Sequence, residues 1–137
     1  RKYIVKNILF KLLLDSHNLY GDDAAAMKAG AHELRAFVNY LNCKLALCVP
    51  LTALVDYLGF RMLCVSLLPI SKHTLVSGSA NGGFDVKSSH KNMKVQMSQA
   101  AKLLNLKPHI CGVKPGHCKY LHTAIDVEGH LGEDGRL

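Results

Sequence analysis

The sequence predicts an α+β fold, with about three helices packed with antiparallel β-hairpins in a single domain. Three observations carry this expectation. Apolar residues recur at helical spacing in three blocks. Strand-suited apolar segments elsewhere flank tight glycine or proline turns. Helical and hairpin blocks stand apart instead of alternating, which argues against a parallel βαβ sheet. The chain has 137 residues, one domain's length, and 49% of them are hydrophobic, enough for a core without disulfides. No repeat is visible at 20–50 residues, and no heptad run.

In residues 3–14, Ile4, Ile8 and Leu12 fall at helical spacing beside Val5, Leu9 and Leu13. A first short helix is expected there, although the β-branched residues near its start leave a strand open. Gly21 then offers a turn and Asp22 an N-cap, and residues 24–42 hold strong helix formers with Met27, Ala31, Leu34, Val38 and Leu41 on one side. LTALVDY and FRMLCVS flank Leu58-Gly59 and read as a mostly buried β-hairpin, ended by Pro69. Asp56 and Arg61 flank that turn. An aspartate in so apolar a segment is costly to bury alone, so it is expected to be hydrogen-bonded or salt-bridged.

Residues 71–90 are rich in Ser, Gly and Asn and read as a long loop, with a short strand open at Thr74–Ser77. A third helix is expected over roughly 91–105. It sets Met93, Met97, Ala100 and Leu104 in one stripe, with Lys91, Lys94 and Lys102 opposite. Lys107-Pro108 stops it. The remainder reads as a strand, a Pro115-Gly116 turn, a longer strand and a tight turn at Gly132–Gly135.

The net charge is +7, and it is unevenly placed. Residues 87–125 contain Lys87, Lys91, Lys94, Lys102, Lys107, Lys114 and Lys119 and no acid, with His90, His109, His117 and His122 among them. This asymmetry points to an anionic partner: RNA, phospholipid headgroups or an acidic protein surface. The bland alternative is a solvated face. A third class, a purely protein-binding module, would instead expose an apolar patch.

Other classes are excluded. The apolar stretch from Leu45 to Ile70 is broken by Pro50, Asp56, Gly59, Arg61 and Pro69, so it is not a membrane span. Lys6 and Lys11 interrupt what would be the apolar region of a signal peptide. Five cysteines without a CxxC pair argue against a secreted disulfide framework and for a reducing, intracellular setting. His32-Glu33 has Ala at position 36, which removes the HExxH metalloprotease reading. No Ser-His-Asp or Cys-His arrangement can be assembled from spacing, so no catalytic residue and no cofactor are expected.

Five segments taken in order, YGDDAAAMKAGAHELRAF, LTALVDYLGFRMLCVSLLPIS, LVSGSANGG, MSQAAKLLNLKPH and DVEGHLGEDGRL, resemble the central domain of the clustered mitochondria (CLU) family. The likeness covers about residues 7–137. The family pattern runs on past the DGR turn with a YLLD-type strand, so the chain reads as a C-terminally incomplete part of a longer protein. The resemblance implies a large cytoplasmic protein needed for the distribution of mitochondria. It also implies binding to mRNAs for mitochondrial proteins, association with the ribosome or translation machinery or with mitochondrial surface proteins, and no catalytic activity.

Two further constellations support a rival reading. On one strand face, Asp126, Glu128 and His130 could bind a metal or move protons. The following LGEDGRL would then resemble the hairpin before the metal-binding Asp of kinase-like folds. The glycine loop with Ser77, Gly78, Ser79 and Gly82 could offer N–H groups to a phosphate, although it fits neither the P-loop nor the G-x-G-x-x-G pattern. Together they make a kinase-like nucleotide-binding domain the alternative. Cys111, His117, Cys118 and His122 lie close in sequence, but lack the C-x2–4-C knuckle of structural zinc, and no metal is expected.

Overall fold

Ile4, Val5 and Ile8 decide the first departure from these expectations. The computed structural model describes all residues, Arg1–Leu137, and has two α-helices, not three, with nine strands in three antiparallel sheets. The segment expected to be a first helix is a hairpin of β1 (Lys2–Val5) and β2 (Ile8–Leu12). Both faces of this hairpin carry apolar residues, so the run is nearly continuous and imitates helical spacing. The β-branched residues and a turn at Lys6 (φ 52°) and Asn7 favour the extended form.

The chain divides into two compact units. Unit 1 comprises Arg1–Asn42 and Val49–Leu68. It adds helix α1 (Asp23–Asn42) and strands β3 (Thr52–Tyr57) and β4 (Phe60–Ser66), giving a four-stranded sheet in the order β1-β2-β4-β3. Asp22 caps the helix, its Oδ1 accepting from Ala25 N at 2.7 Å. The helix covers one sheet face. Gly30 is buried there against Leu13, where any Cβ would collide with the leucine side chain. Leu63 is fully buried on the same face.

The β3–β4 hairpin forms as expected, but it is not mostly buried. Only Leu63 in it is buried, and Val55, Tyr57 and Phe60 are exposed. One helix covers one face, and successive strand side chains alternate between faces, so half of an apolar hairpin stays open.

Unit 2 comprises Cys43–Cys48 and Pro69–Leu137. The expected loop at 71–90 contains β5 (Leu75–Gly78) and β6 (Lys87–Ser88). Helix α2 (Lys91–Leu103) follows, capped by His90, whose Nδ1 accepts from Met93 N at 3.2 Å. It buries Met93, Met97 and Ala100 of the expected stripe, and Ala101 besides, while Leu104 is the half-buried C-cap. Strands β7 (His109–Cys111) and β8 (Lys119–Leu121) form a hairpin, and β9 (Gly129–His130) pairs with β5 in the sheet β6-β5-β9. A small core joins Val86, Cys111 and Leu121, with Ile125 packed on it. The longer strand expected after Gly116 is not formed. It is interrupted by a turn in which Val127 N donates to Ala124 O at 3.1 Å.

Candidate nucleic-acid interface

All seven lysines of the basic segment are exposed, and all lie in unit 2. That unit holds ten Lys and Arg against five Asp and Glu, whereas unit 1 holds seven against five. Helix α2 organises three of them. Lys91 and Lys94 are one turn apart and Lys102 lies about 12 Å further along the axis from Lys94, at 1.5 Å per residue. All three are exposed, Lys91 and Lys102 opposite the buried methionine and alanine stripe and Lys94 at its edge. Lys87 and Lys119 sit on β6 and β8, which are neighbours, while Lys114 belongs to the β7–β8 turn and Lys107 to the segment after α2. A row of ammonium groups on a rigid helix suits a phosphate backbone or another extended polyanion.

The glycine loop is ordered by its own polar groups. Ser79 is buried, and its Oγ accepts from Gly83 N at 2.9 Å and donates to Asn81 Oδ1 at 3.0 Å. Asn81 Oδ1 also accepts from Asp85 N, and Asn81 Nδ2 donates to the Asp85 carboxylate, each at 2.9 Å. Ser79 N donates to Ile125 O at 3.1 Å. The N–H groups of Ser79, Asn81, Gly83 and Asp85 are thus engaged inside the chain, beside a carboxylate. Gly78 (φ 91°) sits so close to Val127 O that no side chain fits, and Gly82 lies exposed in the loop. Ser77 is buried on β5.

Asp126, Glu128 and His130 do not share a strand face. Only Gly129 and His130 are extended in a ladder, and exposed Asp126 belongs to the turn before them. His130 Nε2 lies 3.2 Å from Glu128 Oε2, and its Nδ1 lies 2.9 Å from Thr74 Oγ1. The Thr74 hydroxyl also lies 2.8 Å from Ser71 O, to which it donates. The imidazole therefore ties β9 to the segment entering β5. This arrangement lends the nucleotide-binding reading no support.

Cys111 is a core residue, and burial pushes its thiol above the ordinary range, with a smaller contribution from Cys118. The Cys118 thiol faces the carbonyls of Lys114 and Gly112 at 3.5 and 3.7 Å. No group of three or more His, Cys, Asp and Glu is placed to hold a metal ion. Asp56 is paired as the sequence suggests, its two oxygens taking Arg61 Nε and Nη2 at 2.7 and 2.8 Å. The hydrogen bonds from Arg61 hold that carboxyl below its usual range.

The open sheet face of unit 1 is not foreseen from the sequence, because the β3–β4 hairpin reads there as core. The signal that marks it is the placing of Lys2, Lys11, Asp56 and Arg61, which all fall on the other face by alternation. No helix is long and apolar enough to cross a membrane.

The sequence model of the family described as "Clustered mitochondria" (CLU) matches residues 1–137. The chain is 29% identical over 145 residues to a clustered mitochondria protein homolog of Pyricularia oryzae, with 98% of this chain and 11% of the relative covered. The homolog of Neosartorya fischeri is 29% identical and that of Aspergillus niger 28%, each over 146 residues and 98% of this chain, covering 11% and 12% of the relatives. The chain thus spans about a tenth of the length of the curated relatives it matches. No solved structure matches it.

Proposed function

We propose, because this chain belongs to the clustered mitochondria family, that it is a non-enzymatic binding and scaffolding domain of a cytoplasmic protein acting in mitochondrial distribution. Its basic face contacts RNA, which associates the protein with mRNA or the translation machinery. The observation that carries this reading is the α2 row of Lys91, Lys94 and Lys102, exposed on a helix whose opposite face is buried. Lysines on a preformed helix neutralise phosphates at no further cost in backbone order.

Fluorescence anisotropy of a labelled single-stranded RNA, titrated at several salt concentrations, tests it. Affinity should fall linearly with salt on a log–log plot. The triple charge reversal Lys91→Glu, Lys94→Glu, Lys102→Glu should flatten that slope by about 2, at ~0.7 for each phosphate no longer neutralised. An unchanged affinity and slope in the triple variant would remove α2 from the interface. Absence of binding at low salt would overturn the RNA reading as a whole.

A further inference from the structure

The face of the unit 1 sheet turned away from α1 is apolar at its strand positions and carries no Lys, Arg, Asp or Glu there. The charges of these strands, Lys2, Lys11, Asp56 and Arg61, all fall on the other face by alternation. Tyr3 is 49% exposed, Val5 56%, Ile8 41%, Val55 37%, Tyr57 63% and Phe60 49%. For side chains of up to roughly 150–250 Å², those fractions leave on the order of 600 Å² of apolar surface open. Half-buried Phe10, Leu12 and Met62 add to it. A patch of this size is at the upper end of what a monomer shows.

We propose that this face docks on the same face of a second copy of the chain, forming a two-fold symmetric dimer of stacked sheets. Area is the first argument. A standard interface takes about 800 Å² from each partner, and the open face supplies most of that. Charge is the second. Two copies each bearing +7 repel wherever their basic surfaces meet, and this face brings them together through a neutral surface.

Shape is the third. Register places Tyr3, Phe10, Cys64 and Ala53 in one row across the sheet, and Val5, Ile8 and Ser66 in the next. The first row is bulky on the β1–β2 side and small on the β4–β3 side, while at the far end of the face Phe60 and Tyr57 make the β4–β3 side bulky. A two-fold axis running along the strands lays Tyr3 and Phe10 of one copy on Ala53 and Cys64 of the other, as an isologous contact requires.

Sedimentation equilibrium of the 137-residue chain over a roughly hundredfold concentration range tests the proposal. Mass should rise from 15.0 kDa to twice that value and stop there. Val5→Lys and Tyr57→Lys, at opposite corners of the face, should hold the chain at monomer mass, whereas Tyr120→Lys in unit 2 should leave the dimer intact. A readout on the unaltered chain guards against misfolded variants. Cys64 lies within the face and Cys48 is exposed outside it, so Cys64 alone should lose reactivity toward a maleimide as concentration rises. Monomer mass throughout, with Cys64 reactivity independent of concentration, would overturn the dimer. Mass that grows without limit would also overturn it, because a closed pair stops at two.

Discussion

The Lys11 ammonium lies 2.6 and 2.8 Å from the two carboxylate oxygens of Glu33, joining β2 to α1 across the covered face of the unit 1 sheet. Both groups are part-buried, with side-chain exposures of 25% and 38%, so solvent screens the pair only in part. Lys11→Met should lower stability by about 1 kcal/mol, because Glu33 then loses its counter-charge in a half-dry site. Glu33→Gln should cost less. A double-mutant cycle on urea unfolding measures the coupling, and additive effects would show that the pair contributes nothing of its own.

The β3–β4 turn holds a leucine in the left-handed region. Leu58 has φ 48° and Gly59 φ 81°, the two positive values that a tight hairpin of this hand requires. Leu58 is 78% exposed, so little packing goes with it. Leu58→Asn should therefore stabilise unit 1 by about 0.5–1 kcal/mol, since asparagine tolerates that conformation better. Thermal unfolding followed by circular dichroism would register the rise in midpoint.

Two glycines of unit 2 with similar φ values should respond differently to alanine. Gly116 (φ 82°) has nothing within reach of a Cβ, so Gly116→Ala should cost about 1 kcal/mol of backbone strain alone. Gly78 (φ 91°) faces the carbonyl of Val127, and Gly78→Ala must both strain β5 and displace that carbonyl. A destabilisation at least twice that of Gly116→Ala is expected in denaturant titrations. Equal effects would show that the approach of the two backbones is unimportant.

Asp56 and Asp134 should titrate below ordinary carboxylates, each chiefly because an arginine, Arg61 or Arg136, donates hydrogen bonds to its charged form. A folded pKa below the unfolded value means that the contribution to stability is complete above the unfolded pKa, near ~3.9 for aspartate. It is lost as pH falls through the folded pKa. Carbon-detected NMR titration should place both midpoints under that value, and Arg61→Gln should return Asp56, but not Asp134, to the usual range.

Much of this architecture is legible in the sequence where local chemistry and packing agree. Asp22 before an alanine-rich block announces α1, and the methionine stripe opposed to lysines announces α2. The first hairpin is hidden because Ile4, Ile8 and Leu12 satisfy a period near four as well as a period of two when both faces of a strand are apolar. The Asp126–His130 run misleads for the opposite reason. Its alternation suits a strand, but Val127 bonds back to Ala124 and breaks the ladder. The basic segment is plain from composition, whereas which lysines share one face depends on where α2 begins and on which side it is buried.

The allocation of residues 43–48 bears on how this chain can be divided. The segment lies between α1 and β3, yet it belongs to unit 2, where Ala46 N donates to Gln96 Oε1 at 3.1 Å and Cys48 N to Leu137 O at 2.6 Å. The polypeptide therefore passes between the units three times, and no single cut yields two complete bodies. Ending the chain at Leu68 leaves this clasp without the surfaces it holds, and starting at Pro69 leaves those surfaces without their clasp. Synthesis from the N-terminus meets the same order. Residues 43–48 emerge before every other part of unit 2 and must wait for it, while β3 and β4 complete the sheet of unit 1.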